Sequence, residues 1–316
     1  MKERIVVVAG PTAVGKTDIS IELAKRLNGE IISADSMQVY RHMDIGTAKV
    51  TEEEMSGIKH YLIDILEPDE RFDVSIFKNM AKDAVTEITA KGKLPIIVGG
   101  TGFYIQALLK DVDFENEEKN AEDANNRKYY EYARVNGNEA LHKELEKIDK
   151  ASADSIHYNN VKRVIRALEF YDNTGKLFSE YNAEQKERIS PYDYKYFVLN
   201  DDREKLYERI NQRIDKMLDM GLLSEVKKIY DLKLPTNATS LQGIGYKEYF
   251  DYFRNEKTVD ECTEILKQET RRFAKRQLTW FRRENDTIWK DWQTYGYDKE
   301  KLLESIISDI NSEWKE

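Results

Sequence analysis

The sequence predicts an α/β fold: a parallel sheet flanked by helices and interrupted by a helical insertion. Three observations predict it. A glycine-rich turn near the start of the chain sits between an apolar run and a helical pattern. Apolar runs and helical patterns then alternate up to Lys110. Beyond it the texture becomes charged and helix-favouring, with no proline until Pro191.

The runs over 5–9, 31–35, 61–64 and 94–98 read as strands, and those over 16–27 and 74–91 as helices. Alternation of this kind builds a parallel sheet covered by helices. The strand runs are nearly all apolar, as burial on both faces of a sheet requires. The core therefore occupies 1–112, the helical insertion 113–192, and the return to the core 193–316. Within the insertion Val161, Val164, Ile165, Leu168 and Tyr171 recur at helical spacing, with Lys162, Arg163, Arg166 and Glu169 on the other side. The run 196–199 reads as a strand. The helix after it carries the stripe Leu206, Ile210, Ile214 and Met217, with Gly221 near its end where a left-handed cap is expected. A loop over 239–246 precedes a basic helix over 260–283.

With 316 residues, of which 40% are hydrophobic, the chain can bury the cores of two domains. No apolar run approaches the roughly 18 residues needed to span a bilayer, and the run 5–9 is too brief for a secretory signal. A soluble, cytoplasmic protein with no membrane partner is expected. The single cysteine, Cys262, reads as an ordinary buried thiol. A net charge of −9 argues against a polyanionic partner until the charge is mapped along the chain. Over 262–283 Lys267, Arg271, Arg272, Lys275, Arg276, Arg282 and Arg283 outnumber Glu264 and Glu269, so one segment can still meet nucleic acid.

Gly10-Pro11-Thr12-Ala13-Val14-Gly15-Lys16-Thr17 fits the phosphate-loop pattern G-x-x-x-x-G-K-[ST] and stands between a strand and a helix. Its glycines let backbone N–H groups turn toward an anion. The helix N-terminus and Lys16 add positive charge, and the Thr17 hydroxyl can hold Mg2+. The core is therefore expected to be P-loop NTPase-like. Asp35 ends the second strand run, at the sheet edge where ligands gather. A magnesium-binding carboxylate, a general base and a plain helix cap compete for it, and Asp64 at the end of the run 61–64 is a rival on the metal side. Gly99-Gly100-Thr101-Gly102 brings flexible backbone and one hydroxyl to the same edge. Arg213 lies on the polar side of its helix, where an arginine is usually solvated.

These residues, with Ser36-Met37-Gln38-Val39-Tyr40-Arg41, Asp44-Ile45-Gly46-Thr47-Ala48-Lys49, Arg163, Arg166-Ala167-Leu168-Glu169 and Ala274-Lys275-Arg276-Gln277, form an ordered set. The set strongly resembles the bacterial tRNA dimethylallyltransferases, also called tRNA isopentenyltransferases, over nearly the whole chain. The resemblance implies transfer of a dimethylallyl group from dimethylallyl diphosphate to the exocyclic amine of the adenosine 3′ of the anticodon, in tRNAs reading U-initial codons. The phosphate loop, with Arg213, would then hold the departing diphosphate and Mg2+ at Thr17. Asp35 would take the proton, with Thr101 orienting the site. The resemblance assigns the anticodon stem-loop of tRNA to Asp35, Ser36, Met37, Gln38 and Thr101, to Asn159, Asn160, Val161, Lys162 and Arg163 in the insertion, and to Ser240, Leu241, Gln242, Gly243, Ile244 and Gly245. Lys275 and Arg276 complete that surface, and a monomer is expected. The rival functions are prenylation of free AMP or ATP, which would not need the basic helix, and a P-loop small-molecule kinase, which would need an arginine-bearing lid.

Overall fold

The computed structural model describes residues 2–112 and 124–314, so the insertion boundary read at 113 lies outside the described residues. The chain divides into two compact units. One comprises Met1–Leu108 with Pro191–Glu316, and the other is Leu109–Ser190.

In the first unit, strands β1 (Arg4–Ala9), β2 (Gly29–Ser33), β3 (His60–Tyr61), β4 (Leu94–Gly99), β5 (Asp193–Asn200) and β6 (Thr287–Asp291) form one sheet in the order β3-β2-β4-β1-β5-β6. Every pairing is parallel. Val6, Val7 and Val8 of β1 face Ile96, Ile97 and Val98 on one side and Lys195, Tyr196 and Phe197 on the other. The first three are wholly buried, the burial their unbroken apolar run predicts.

Helices follow the strands. In this unit they are α1 (Lys16–Arg26), the single turn α2 (Glu52–Met55), α3 (Val74–Ala90) and α4 (Gly102–Leu109). The second unit contains α5 (Ala124–Asn136), α6 (Asn138–Ile148), α7 (Lys150–Ser155), α8 (Val161–Thr174) and α9 (Phe178–Glu187). Back in the first unit come α10 (Arg203–Asp219), α11 (Leu222–Asp231), α12 (Phe250–Phe253), α13 (Val259–Phe281) and α14 (Lys299–Glu313).

Helix α10 buries Leu206, Ile210 and Ile214, one per turn, and opens where the Asp202 carboxylate accepts the N–H groups of Glu204 and Lys205. Gly221 takes φ 99° at the junction of α10 and α11. Thr258 and Glu261 form a reciprocal capping box at the start of α13, and Cys262 is buried one residue on. The second unit has its own apolar core, in which Leu141 and Leu145 of α6 meet Val164, Ile165 and Leu168 of α8.

Three sequence expectations shift. Strand β3 ends at Tyr61, because Leu62 and Asp64 take positive φ (64° and 55°) and turn the chain away from the sheet. Asp35 stands two residues beyond β2, in the turn that follows it. The short mixed run forming β6 is an edge strand that periodicity does not reveal. Among the described residues no helix is long and apolar enough to cross a membrane.

Candidate active site

The carboxyl ends of β1, β2, β4 and β5 converge, and the site is built from the turns that leave them. After β1 the chain makes the glycine-rich turn and enters α1. Gly15, the residue before α1, has φ 93°, which a side chain would strain. Lys16 Nζ donates to the carbonyl oxygens of Gly10 (3.0 Å) and Pro11 (2.8 Å), so the lysine braces its own loop. Burial pulls its ammonium down to about 8, Asp35 opposing the shift and Arg213 adding to it. Arg213 reaches in from α10 and donates to Thr12 Oγ1 at 3.4 Å. Burial lowers its basicity too, against the attraction of Asp35 and Glu54. An arginine that helical spacing put on a solvated face thus joins Lys16 and Asp35 in a half-buried cluster. Thr17 lies in the exposed first turn of α1.

Asp35 Oδ1 accepts the backbone N–H of Met37 (2.8 Å) and of Gln38 (3.3 Å), which commits one carboxylate oxygen to shaping the turn. The turn after β4 is pressed against it. Thr101 N–H donates to the carbonyl of Ala34 at 3.3 Å, so Thr101 hangs from the residue preceding Asp35. Only hydrogen fits at Gly99, where a Cβ would stand 2.2 Å from that same carbonyl oxygen. Asp35 and Thr101, singled out separately in the sequence, are therefore one structural unit.

Asp64 is placed differently. Its carboxylate receives the buried ammonium of Lys49, which also donates to Asp44 Oδ1 and to the Tyr40 carbonyl, both at 2.6 Å. An internal cation thus holds the rival carboxylate. The surrounding loop is held by Glu225 of α11. Its Oε2 accepts the N–H groups of Asp44 (3.0 Å) and Ile45 (2.9 Å), and its Oε1 that of Gly46 (2.9 Å). Gln38 Nε2 donates to the Ala48 carbonyl (3.2 Å), tying the loop to the turn of Asp35. Gln38 is thus engaged inside the protein, and Met37 packs beside Gly243. Ser36 is half-buried in the same turn.

In the loop before α12, Ser240 and Leu241 are buried, the Ser240 hydroxyl donating to the Pro68 carbonyl at 2.6 Å, and Gly245 is buried as well. Gln242 is exposed and Gly243 and Ile244 are half-exposed. On α13, Arg272, Lys275, Arg276, Thr279 and Trp280, with Arg283 just beyond the helix, line an open groove of about 410 Å³. In the second unit Asn159, Asn160, Lys162 and Arg163 are exposed at the start of α8, whereas Val161 packs partly against the core of that unit.

Sequence reasoning missed Trp292 altogether and named Gln277 only as part of a motif, without a role. Trp292 Nε1 donates to the Val14 carbonyl at 2.7 Å, strapping the phosphate loop from beyond β6. Gln277 of α13 accepts the Thr12 N–H at 2.9 Å and donates to the Gly100 carbonyl at 3.0 Å. The available signal was an amide standing in the stripe Ala274, Gln277, Phe281, all buried.

The family model for IPP transferase matches residues 38–284. The tRNA dimethylallyltransferase of Lachnoclostridium phytofermentans is 54% identical over 302 residues, covering 96% of each chain. The chain belongs to the IPP transferase family. Another curated IPP transferase relative, the tRNA dimethylallyltransferase of Acetivibrio thermocellus, is 47% identical over 304 residues, again 96% of each chain. Solved structures agree. The full-length tRNA isopentenylpyrophosphate transferase of Bacillus halodurans matches with TM-score 0.69 and 43% identity, over 98% of this chain and 99% of that one. A eukaryotic dimethylallyltransferase acting on tRNA matches with TM-score 0.79 and 32% identity, over 92% of this chain and 74% of that one. The IPP transferase fold is P-loop NTPase-like, and the sheet order and phosphate loop described above are its frame.

Proposed function

We infer that this chain is a tRNA dimethylallyltransferase, taking the prenyl group from dimethylallyl diphosphate and delivering it to the exocyclic amine of the adenosine 3′ of the anticodon. One observation carries the reading. A half-buried cationic cluster on a phosphate loop, Lys16 with Arg213, lies beside a carboxylate, Asp35, whose turn is hung on that of Thr101.

The chemistry follows from that arrangement. Backbone N–H groups of residues 13–17, with Lys16 and Arg213, hold the diphosphate. The amine nitrogen attacks C1 of the dimethylallyl group, the C1–O bond breaks, and its electron pair leaves with the diphosphate. Positive charge placed where negative charge grows lowers that barrier. The attacking nitrogen sheds a proton, and Asp35 takes it. An aromatic amine is a weak nucleophile, so a carboxylate aimed at its N–H contributes where a neutral group would not.

Magnesium fits the donor set of this site. The Thr17 hydroxyl stands at the N-terminus of α1, and no group of three His, Cys, Asp or Glu side chains among the described residues forms a closed metal cage. One protein hydroxyl suits an ion whose other ligands are water and diphosphate oxygens. Thr17 would hold it, and when bound it supplies further charge to the leaving group.

The anticodon stem-loop is the proposed RNA element, and the exposed cations of α13 and of the start of α8 favour it. The target base must leave its stack to reach Asp35. Purified protein is to be incubated with magnesium, dimethylallyl diphosphate and unmodified tRNA, and the digested nucleosides analysed by mass spectrometry. Prenylated adenosine beside the anticodon is expected. Product on free AMP with none on tRNA would overturn the reading.

A further inference from the structure

Gln277 is buried, carries no charge, and bonds with both ends of its amide. Its oxygen accepts the N–H of Thr12 in the phosphate loop, and its nitrogen donates to the carbonyl of Gly100 in the turn that presents Thr101. No strand hydrogen bond joins those two turns to each other beyond Ala9 and Gly99, the last matched pair of β1 and β4. Past that point Gln277 bridges them.

We propose that Gln277 is a positioning residue, setting the spacing between the phosphate loop and the Gly99-Gly100-Thr101 turn. Diphosphate and acceptor amine then meet at the right separation. The inference rests on the reading of the phosphate loop as the diphosphate site. An amide suits the task because it offers one acceptor and one donor at opposite sides of a planar group. Glutamate would set a second acceptor against the Gly100 carbonyl, and methionine would supply neither bond. Displacement of the loop by a fraction of an ångström weakens diphosphate binding and misaligns C1 with the amine.

The structure also supplies a second way to move the amide. A Cβ on Gly100 would lie 2.1 Å from Gln277 Nε2 and 3.3 Å from its Cδ, with the Gly10 carbonyl next at 3.5 Å. The alanine methyl therefore collides with Gln277 and meets nothing else so closely. Removing the Gln277 side chain makes room for it.

Steady-state kinetics on the full chain, with tRNA and dimethylallyl diphosphate, test the inference through Gln277→Met, Gln277→Ala, Gly100→Ala and the double variant Gly100→Ala/Gln277→Ala. Each single variant should raise the KM for dimethylallyl diphosphate about tenfold, as loss of a buried hydrogen-bonded bridge requires. The dissociation constant for tRNA should stay within about twofold, because the exposed cations of α13 are untouched. In the double variant Gly100→Ala should cost nothing beyond Gln277→Ala, since both act through one contact. An unchanged donor KM in the single variants, or strictly additive losses in the double variant, would overturn the inference. A parallel loss of donor and tRNA affinity would also overturn it, pointing to general disorder of α13. Failure of the wild-type chain to prenylate tRNA removes the functional reading itself, a result separate from any of these.

Discussion

The hydroxyl of Tyr246 donates to Oε1 of Glu225 at 2.7 Å, the same oxygen that accepts the N–H of Gly46. With Asp44 and Ile45 on Oε2, one carboxylate closes four hydrogen bonds and draws together α11, the 44–46 loop and the segment after Gly245. Glu225→Ala would strand three part-buried N–H groups and the buried Tyr246 hydroxyl. A loss of about 3 kcal/mol in unfolding free energy is expected, measured by urea denaturation. Glu225→Gln keeps one acceptor and should lose less. Equal losses in the two variants would mean the effect comes from packing.

Asp35→Asn retains the acceptor oxygen that Met37 and Gln38 use, so the turn should survive and only proton removal should suffer. We expect kcat to fall by about 10² to 10⁴ with little change in the affinity for tRNA or dimethylallyl diphosphate. Rapid-quench turnover beside equilibrium binding decides it, and near-normal turnover would remove Asp35 as the base.

Glu248 is buried, with its Oε2 accepting the N–H of Gly245 at 2.9 Å. Burial holds its carboxyl above the usual range, with Glu269 adding to the rise and the Gly245 N–H opposing it. A carboxyl whose folded pKa is raised gives stability that is full below the unfolded pKa and is lost as pH rises through the folded one. The wild-type chain should therefore lose stability relative to Glu248→Gln as pH rises above about 4. Chemical denaturation at each pH measures this, and a constant difference would contradict it.

Lys275 and Arg276 are exposed on the groove side of α13. Each cation that meets an RNA phosphate releases a counterion. Lys275→Ala/Arg276→Ala should thus lessen the slope of log affinity against log salt by about 1.5 to 2, while melting as the wild type does. A slope unchanged across about 50 to 200 mM salt would place the RNA elsewhere.

Much of this was legible in the sequence because it is local. The unbroken run at Val6, Val7 and Val8 specifies a strand buried on both faces, and the phosphate loop declares itself by spacing between a strand and a helix. Leu62 and Ile63 mislead for an equally local reason: two apolar residues suggest a strand, whereas positive φ at Leu62 and Asp64 folds the chain away. What the sequence hid depends on residues far apart. Arg213 lies on the polar side of its own helix, and only the arrival of the phosphate loop partly covers that side. Lys49 engages Asp64 in an ion pair across fifteen positions of sequence. The motif and the buried stripe mark Gln277, but not its role, because its partners lie 265 and 177 residues away.

The straps on the phosphate loop also set an order of events during synthesis. Residues 10–17 leave the ribosome early, yet Trp292 reaches Val14 across 278 positions and Gln277 reaches Thr12 across 265. The cradle therefore stays unbraced until almost the entire chain has been made. A nascent chain arrested before α13 carries the whole glycine-rich signature without either strap, so competence to bind the donor should appear late and abruptly during translation.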